Sequence, residues 1–190
     1  MKKLVITYTV FCLFLTSVST NVSAQEQTFQ HQDQVVALGI GLGGNLYSGG
    51  YGSGFSRTPA ISLTYENCVK DNLFDENSSL GIGGLLGFAS AKYSAPGDDW
   101  SWKSTNFILG ARGGLHYQFI DKFDTYTGLM LGYNVVSTKY TGSVDHGAAG
   151  GGFTWAWYLG GRYYLGESMA AFAELGYGIA VLNLGVALKF

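Results

Sequence analysis

Three sets of residues in this chain of 190 have the types and spacing to do chemistry. Gly39-x-Gly41-x-x-Gly44, with Glu66 further along, has the form of a dinucleotide fingerprint. In that motif the glycines let a pyrophosphate approach a helix N-terminus, and the acid holds a ribose. The fingerprint needs a helix starting at the glycines. Residues 45–58, which include Gly49-Gly50-Tyr51-Gly52-Ser53-Gly54, are poor material for one. Ser143, Asp145 and His146 bring together a nucleophile, an acid and a base. Near-adjacent residues in a Gly-rich loop lack the separately anchored third group that a catalytic triad uses. The sequence has no phosphate-loop lysine motif and no Cys/His spacing suited to a metal. The expectation is a non-enzyme with no catalytic residue, no cofactor and no metal ligand. His116 then reads as an interior hydrogen-bonding residue and Cys68 as a small packing residue.

The third set is electrostatic, and its meaning depends on the elements that hold it. Glu66, Arg112, Arg162 and Glu174 stand in otherwise apolar or Gly-rich stretches. They need a frame that places them together, because a lone charge in a dry interior carries a large desolvation cost.

Composition narrows that frame. The chain has 29 Gly, 2 Pro, 13 Tyr and 12 Phe, with only 13% charged residues, which suits turns and strands better than a soluble helical domain. Lys2 and Lys3 precede an apolar run from Leu4 to about Val18, and Val22-Ser23-Ala24 offers a cleavage site. Residues 1–24 are therefore read as a secretory signal and 25–33 as a flexible mature N-terminus, with the domain over 34–190. Cleavage would remove Cys12, leaving Cys68 without a disulfide partner. It would also take the formal charge from −2 to about −4, and with no basic patch nucleic acid is not an expected partner.

Hydrophobicity alternates with a period of two. Val36, Leu38, Ile40 and Leu42 alternate with Ala37, Gly39, Gly41 and Gly43. Phe107, Leu109, Leu115, Tyr117 and Phe119 oppose Gly110, Arg112, Gly114, His116 and Gln118. Phe153, Trp155, Trp157, Leu159, Tyr163 and Leu165 oppose Thr154, Ala156, Gly160 and Arg162. Half-buried strands have this pattern. Strands are expected over 34–44, 59–69, 79–92, 103–119, 125–138, 152–165, 170–178 and 182–190. The fold class is all-β, an antiparallel up-and-down transmembrane β-barrel of about eight strands. Short polar turns near 70–78, 120–124 and 166–169 alternate with longer connections near 45–58, 93–102 and 139–151, as in outer-membrane barrels.

A soluble ligand-carrying barrel would turn the bulky face inward, and a membrane barrel turns it out to lipid. The second face is mostly Gly, Ala, Ser and Thr, which fits a cramped lumen, so the membrane reading is adopted. Glu66, Arg112, Arg162 and Glu174 then form a luminal charge network, with Arg162 and Glu174 as cross-strand neighbours. Trp100, Trp102, Trp155 and Trp157 form an interfacial aromatic girdle. Tyr47, Tyr51, Phe55 and Tyr140 lie nearby, either in the girdle or in a loop surface for an extracellular ligand.

The last strand places Leu182, Leu184, Val186, Leu188 and Phe190 on one face, with Asn183 and Gly185 between. Asn183, Gly185, Leu188 and the final Phe190 resemble the signal by which outer-membrane proteins reach the barrel-assembly machinery. With Phe172-Ala173-Glu174-Leu175-Gly176-Tyr177-Gly178, this end is similar to OmpX/OmpA-type eight-stranded barrels and to the outer-membrane β-barrel proteins of Bacteroidetes. The resemblance spans essentially the whole mature chain. It implies a Gram-negative outer-membrane location, with lipid, periplasmic chaperones and the assembly machinery as partners. No peptidoglycan-binding domain is expected after the last strand. The expected function is a non-enzymatic envelope or surface-interaction protein with a plugged lumen. A narrow porin-like channel is the alternative, and a lipid-modifying enzyme is less favoured.

Overall fold

A computed structural model describes residues 27–43, 55–94, 100–142 and 146–190. The signal segment 1–24, Tyr47, Tyr51 and the Ser143/Asp145 pair lie outside the described residues. The strands are β1 (Gln34–Leu42), β2 (Phe55–Arg57), β3 (Ala60–Asp71), β4 (Ser78–Ser94), β5 (Ser101–Ile120), β6 (Phe123–Thr141), β7 (His146–Tyr164), β8 (Met169–Tyr177) and β9 (Leu182–Lys189).

Every pairing is antiparallel. From β3 through β9 each strand pairs with the next in the chain, and β1 pairs with both β3 and β9. Eight strands thus close a ring with no free edge along its common height. The seam is completed by reciprocal backbone bonds of 3.0 and 2.9 Å between Gln34 and Phe190. β2 adds to β4 above β3 rather than forming another stave. Pro59, which has no N–H to give a ladder, sits at that break. Thr58 bridges it by donating its N–H to the Ser90 carbonyl at 2.9 Å.

The alternating faces fall where the period of two puts them. Leu38, Ile40, Phe107, Leu109, Leu129, Leu131, Trp155, Leu159, Leu184 and Val186 are all exposed on the outer surface. So continuous an apolar belt belongs against hydrocarbon, which a closed barrel can enter because its backbone is satisfied internally.

Besides the small and polar residues expected there, the interior holds bulky apolar ones. One buried apolar cluster joins Phe29, Val35, Cys68, Tyr164 and Phe172. A second joins Leu85, Ile108, Met130, Ala156 and Ile179. The segment read as a flexible N-terminus is also packed, at least over residues 27–33. Phe29 is 1% exposed, the Thr28 N–H donates to Gln118 at 2.6 Å, and Lys189 pairs with Asp33 at 3.4 Å. Phe29 is the reason, since its ring fills the end of the barrel that the short turns close.

The rim is lopsided. β1, β8 and β9 have 9, 9 and 8 residues, close to the roughly 9–11 that a tilted strand needs to cross a bilayer. β4, β5, β6 and β7 have 17, 20, 19 and 19 residues. They continue beyond the others as a four-stranded sheet. Residues 146–151, expected as loop, are the outer part of β7, because Gly147 to Gly152 pair with Lys139 to Asn134.

Candidate functional site: the ion-paired lumen

Four strands aim charged side chains into the middle of the barrel. Glu66 on β3, Arg112 on β5 and Arg162 on β7 are at most 4% exposed. The Glu174 side chain on β8 is 11% exposed. The Arg162 guanidinium donates to Glu66 and lies 3.5 Å from Asp124. Arg112 donates to Glu174 at 2.9 Å. The expected Arg162–Glu174 pair does not form. Glu174 is in register with Gly160, and Arg162 with Phe172, so Arg112–Glu174 and Arg162–Glu66 pair across the lumen, while Asp124 is the direct cross-strand partner of Arg162 on β6.

His116 and Asp124 complete the set. The His116 ring places Nε2 3.1 Å from Glu66 and Nδ1 3.0 Å from Asp124. Between two carboxylates both nitrogens can bond only if a proton is shared there, on the ring or on one acid. That proton makes three acids and three bases neutral as a group. Asp124 escaped the sequence reading because its segment has turn composition, yet it is 1% exposed inside β6. Its parity with Tyr126 and Met130 was the available signal.

Aromatic rings and glycines fix the geometry. Arg112 lies 4.1 Å from the centroid of the Tyr158 ring and Arg162 4.6 Å from that of Tyr126, so each guanidinium stacks over an aromatic face. Tyr126 donates its hydroxyl to Glu174 at 3.0 Å. A Cβ at Gly160 would stand 2.7 Å from the Tyr126 ring, and one at Gly81 2.6 Å from Glu66 Oε1. Glycine at these places is what lets a narrow barrel hold large polar side chains. A cavity of about 40 Å³ lies beside Arg112, Glu174, Asn183 and Ser62, room for roughly three waters.

Asn183 and Gly185 face inward, Asn183 donating to Ser62 at 3.0 Å and Gly185 lying under the Phe172 ring. Leu188 and Phe190 face outward and are exposed. Trp155 and Trp157 stand on the outer apolar face, Trp155 with its ring 5.1 Å from that of Tyr177. Trp100 is 40% exposed just before β5. Trp102 is not part of a lipid-facing girdle. It shares the inward parity of Ser104, Asn106 and Arg112, in one cross-strand row with Tyr93 and Tyr140. Phe55 continues that row beside Tyr93, its ring 5.6 Å from Trp102.

No family model and no curated protein matches the chain. Among solved structures it is similar to Ail, the attachment invasion locus protein of Yersinia pestis. Identity there is 10%, covering 84% of this chain and 96% of that one, with a TM-score of 0.45. The N-terminal β-barrel domain of Pseudomonas aeruginosa OprF is 15% identical, covering 85% and 98%, at 0.42. The outer membrane protein OprG of the same organism is 13% identical, covering 87% and 99%, at 0.41. By its own strand pairing, this chain is an eight-stranded antiparallel up-and-down β-barrel.

Proposed function

We propose that the chain is an integral outer-membrane barrel that passes no solute and serves the envelope structurally and through contacts made above its rim. The observation that carries this is the filling of the lumen in successive layers. Phe29 fills one end, the Glu66–His116–Asp124–Arg162 and Arg112–Glu174 groups fill the middle, and Ile108, Met130 and Ile179 fill the level above. A conducting path would need these layers to part together, which disfavours the narrow-channel alternative. The charged groups are engaged with one another in ion pairs, and the reading is non-enzymatic. Protein inserted into planar bilayers is expected to give no steady conductance. Stable nanosiemens-scale openings would contradict the plug.

Biogenesis in this reading follows the exported-barrel route. Residues 1–24 direct export, and Asn183, Gly185, Leu188 and Phe190 present the last strand to the assembly machinery, with periplasmic chaperones before it. The surface role rests on the tall β4–β7 sheet and its row of Phe55, Tyr93, Trp102 and Tyr140. Flat aromatic faces of this kind make large contacts at low entropic cost. Trimming residues 45–54, or replacing Tyr93, Trp102 and Tyr140 by alanine, should reduce adhesion of bacteria displaying the protein. Neither change should remove the shift of the folded band on boiling.

A further inference from the structure

The outer face of the tall sheet carries an arrangement that the plugged barrel does not use. Lys92 of β4 is the direct cross-strand partner of Lys103 of β5, and Lys103 is the direct partner of Lys139 of β6. All three are exposed and share the outward parity of the lipid-facing residues. Like charges directly opposite one another destabilise a sheet. Among the described residues none of the three has an ion-pair partner. The four tall strands carry no acid except Asp124, which is buried in the lumen.

The row lies a short way above the apolar belt. Two residues below it in each strand lie Ser90, Thr105 and Ser137. Two below those lie Phe88, Phe107 and Val135, the top of the apolar belt. Four residues of strand rise about 13 Å, or roughly 10 Å along the axis at the usual tilt. The headgroup layer extends about 5–8 Å beyond the hydrocarbon, and a lysine side chain reaches down across the remainder. Of the row between, Ser137 is exposed and Thr105 half-buried, so their hydroxyls can meet the polar part of a headgroup, whereas the Ser90 hydroxyl is buried and donates to the Ser104 carbonyl.

We propose that Lys92, Lys103 and Lys139 form a docking site for the phosphate groups of an anionic lipid in the leaflet surrounding the barrel. The site rests on the membrane-barrel reading, and its test separates the two. Wild type and the variant K92Q/K103Q/K139Q are refolded into phosphatidylcholine vesicles and checked for a gel shift on boiling. Each is then taken into neutral detergent and titrated with diphosphorylated lipid A, with bound lipid counted by native mass spectrometry. The wild type should retain the lipid, increasingly weakly as salt rises, and the triple variant should bind at least about tenfold more weakly. Dephosphorylated lipid A should bind both proteins equally weakly, and Lys70→Gln, at the opposite end of β3, should bind like wild type. Equal retention by the triple variant, or undiminished binding of the dephosphorylated lipid, would overturn the site. Full competition by equimolar inorganic phosphate would overturn its assignment to lipid. A wild-type protein that never shifts on boiling would remove the barrel and the site with it.

Discussion

Removing Glu174 would leave Arg112, with its side chain 3% exposed, carrying an unpaired charge inside the barrel. Glu174→Ala should therefore lower the unfolding free energy in lipid vesicles by about 3–5 kcal/mol, read from denaturant titration of tryptophan fluorescence. Replacing both partners, with Arg112→Met and Glu174→Leu, should recover most of that loss. A single variant as stable as wild type would show that the pair is solvated. Gly160→Ala tests the packing around the same carboxylate. Its Cβ would press on the Tyr126 ring, with an expected cost of about 1–3 kcal/mol. At this scale the sequence disclosed the inward direction of Glu66, Arg112, Arg162 and Glu174, because strand parity is strict. Their partners were hidden. Arg162 and Glu66 are 96 positions apart and Arg112 and Glu174 62, and such pairings follow from the closure of the ring rather than from neighbours in the chain.

Strands and turns show the same division. Alternation located every long strand to within a few residues, except that the 146–151 end of β7 looked like loop. Its neighbour β6 supplies the ladder there, and glycine's low strand propensity yields to that pairing. Residues 27–33 carry no periodic signal, and their order depends on a cavity made by strands distant in sequence. Phe29→Ala should cost about 3–5 kcal/mol of stability in the same titration. It should give no conductance, because the ion-paired layer above remains closed. The turn between β3 and β4 has a pH dependence of its own. The Asn77 backbone N–H and the Tyr117 hydroxyl donate to the Asp75 carboxylate, holding its pKa below the usual value. That contribution is present at neutral pH and is lost as pH falls through the lowered value. Asp75→Asn should therefore flatten the acid limb of the stability profile slightly, and an unchanged limb would show that these bonds add nothing.

For the molecule as a whole, everything turns on which face meets lipid. An apolar belt outside, charges within and a tall sheet on one side follow from a single parity assignment carried around the closed ring. Turning that assignment over would convert the same strands into a ligand-carrying soluble barrel. The four tryptophans allow a direct reading. Variants that keep only Trp155, only Trp157 or only Trp102, with phenylalanine at the other positions, would be refolded into vesicles whose acyl chains carry bromine. Trp155 and Trp157 fluorescence should be strongly quenched, and Trp102 fluorescence, from the inner face above the plugged lumen, should be nearly unaffected. Quenching of Trp102 as strong as that of Trp155, or no quenching at either lipid-facing position, would contradict the account.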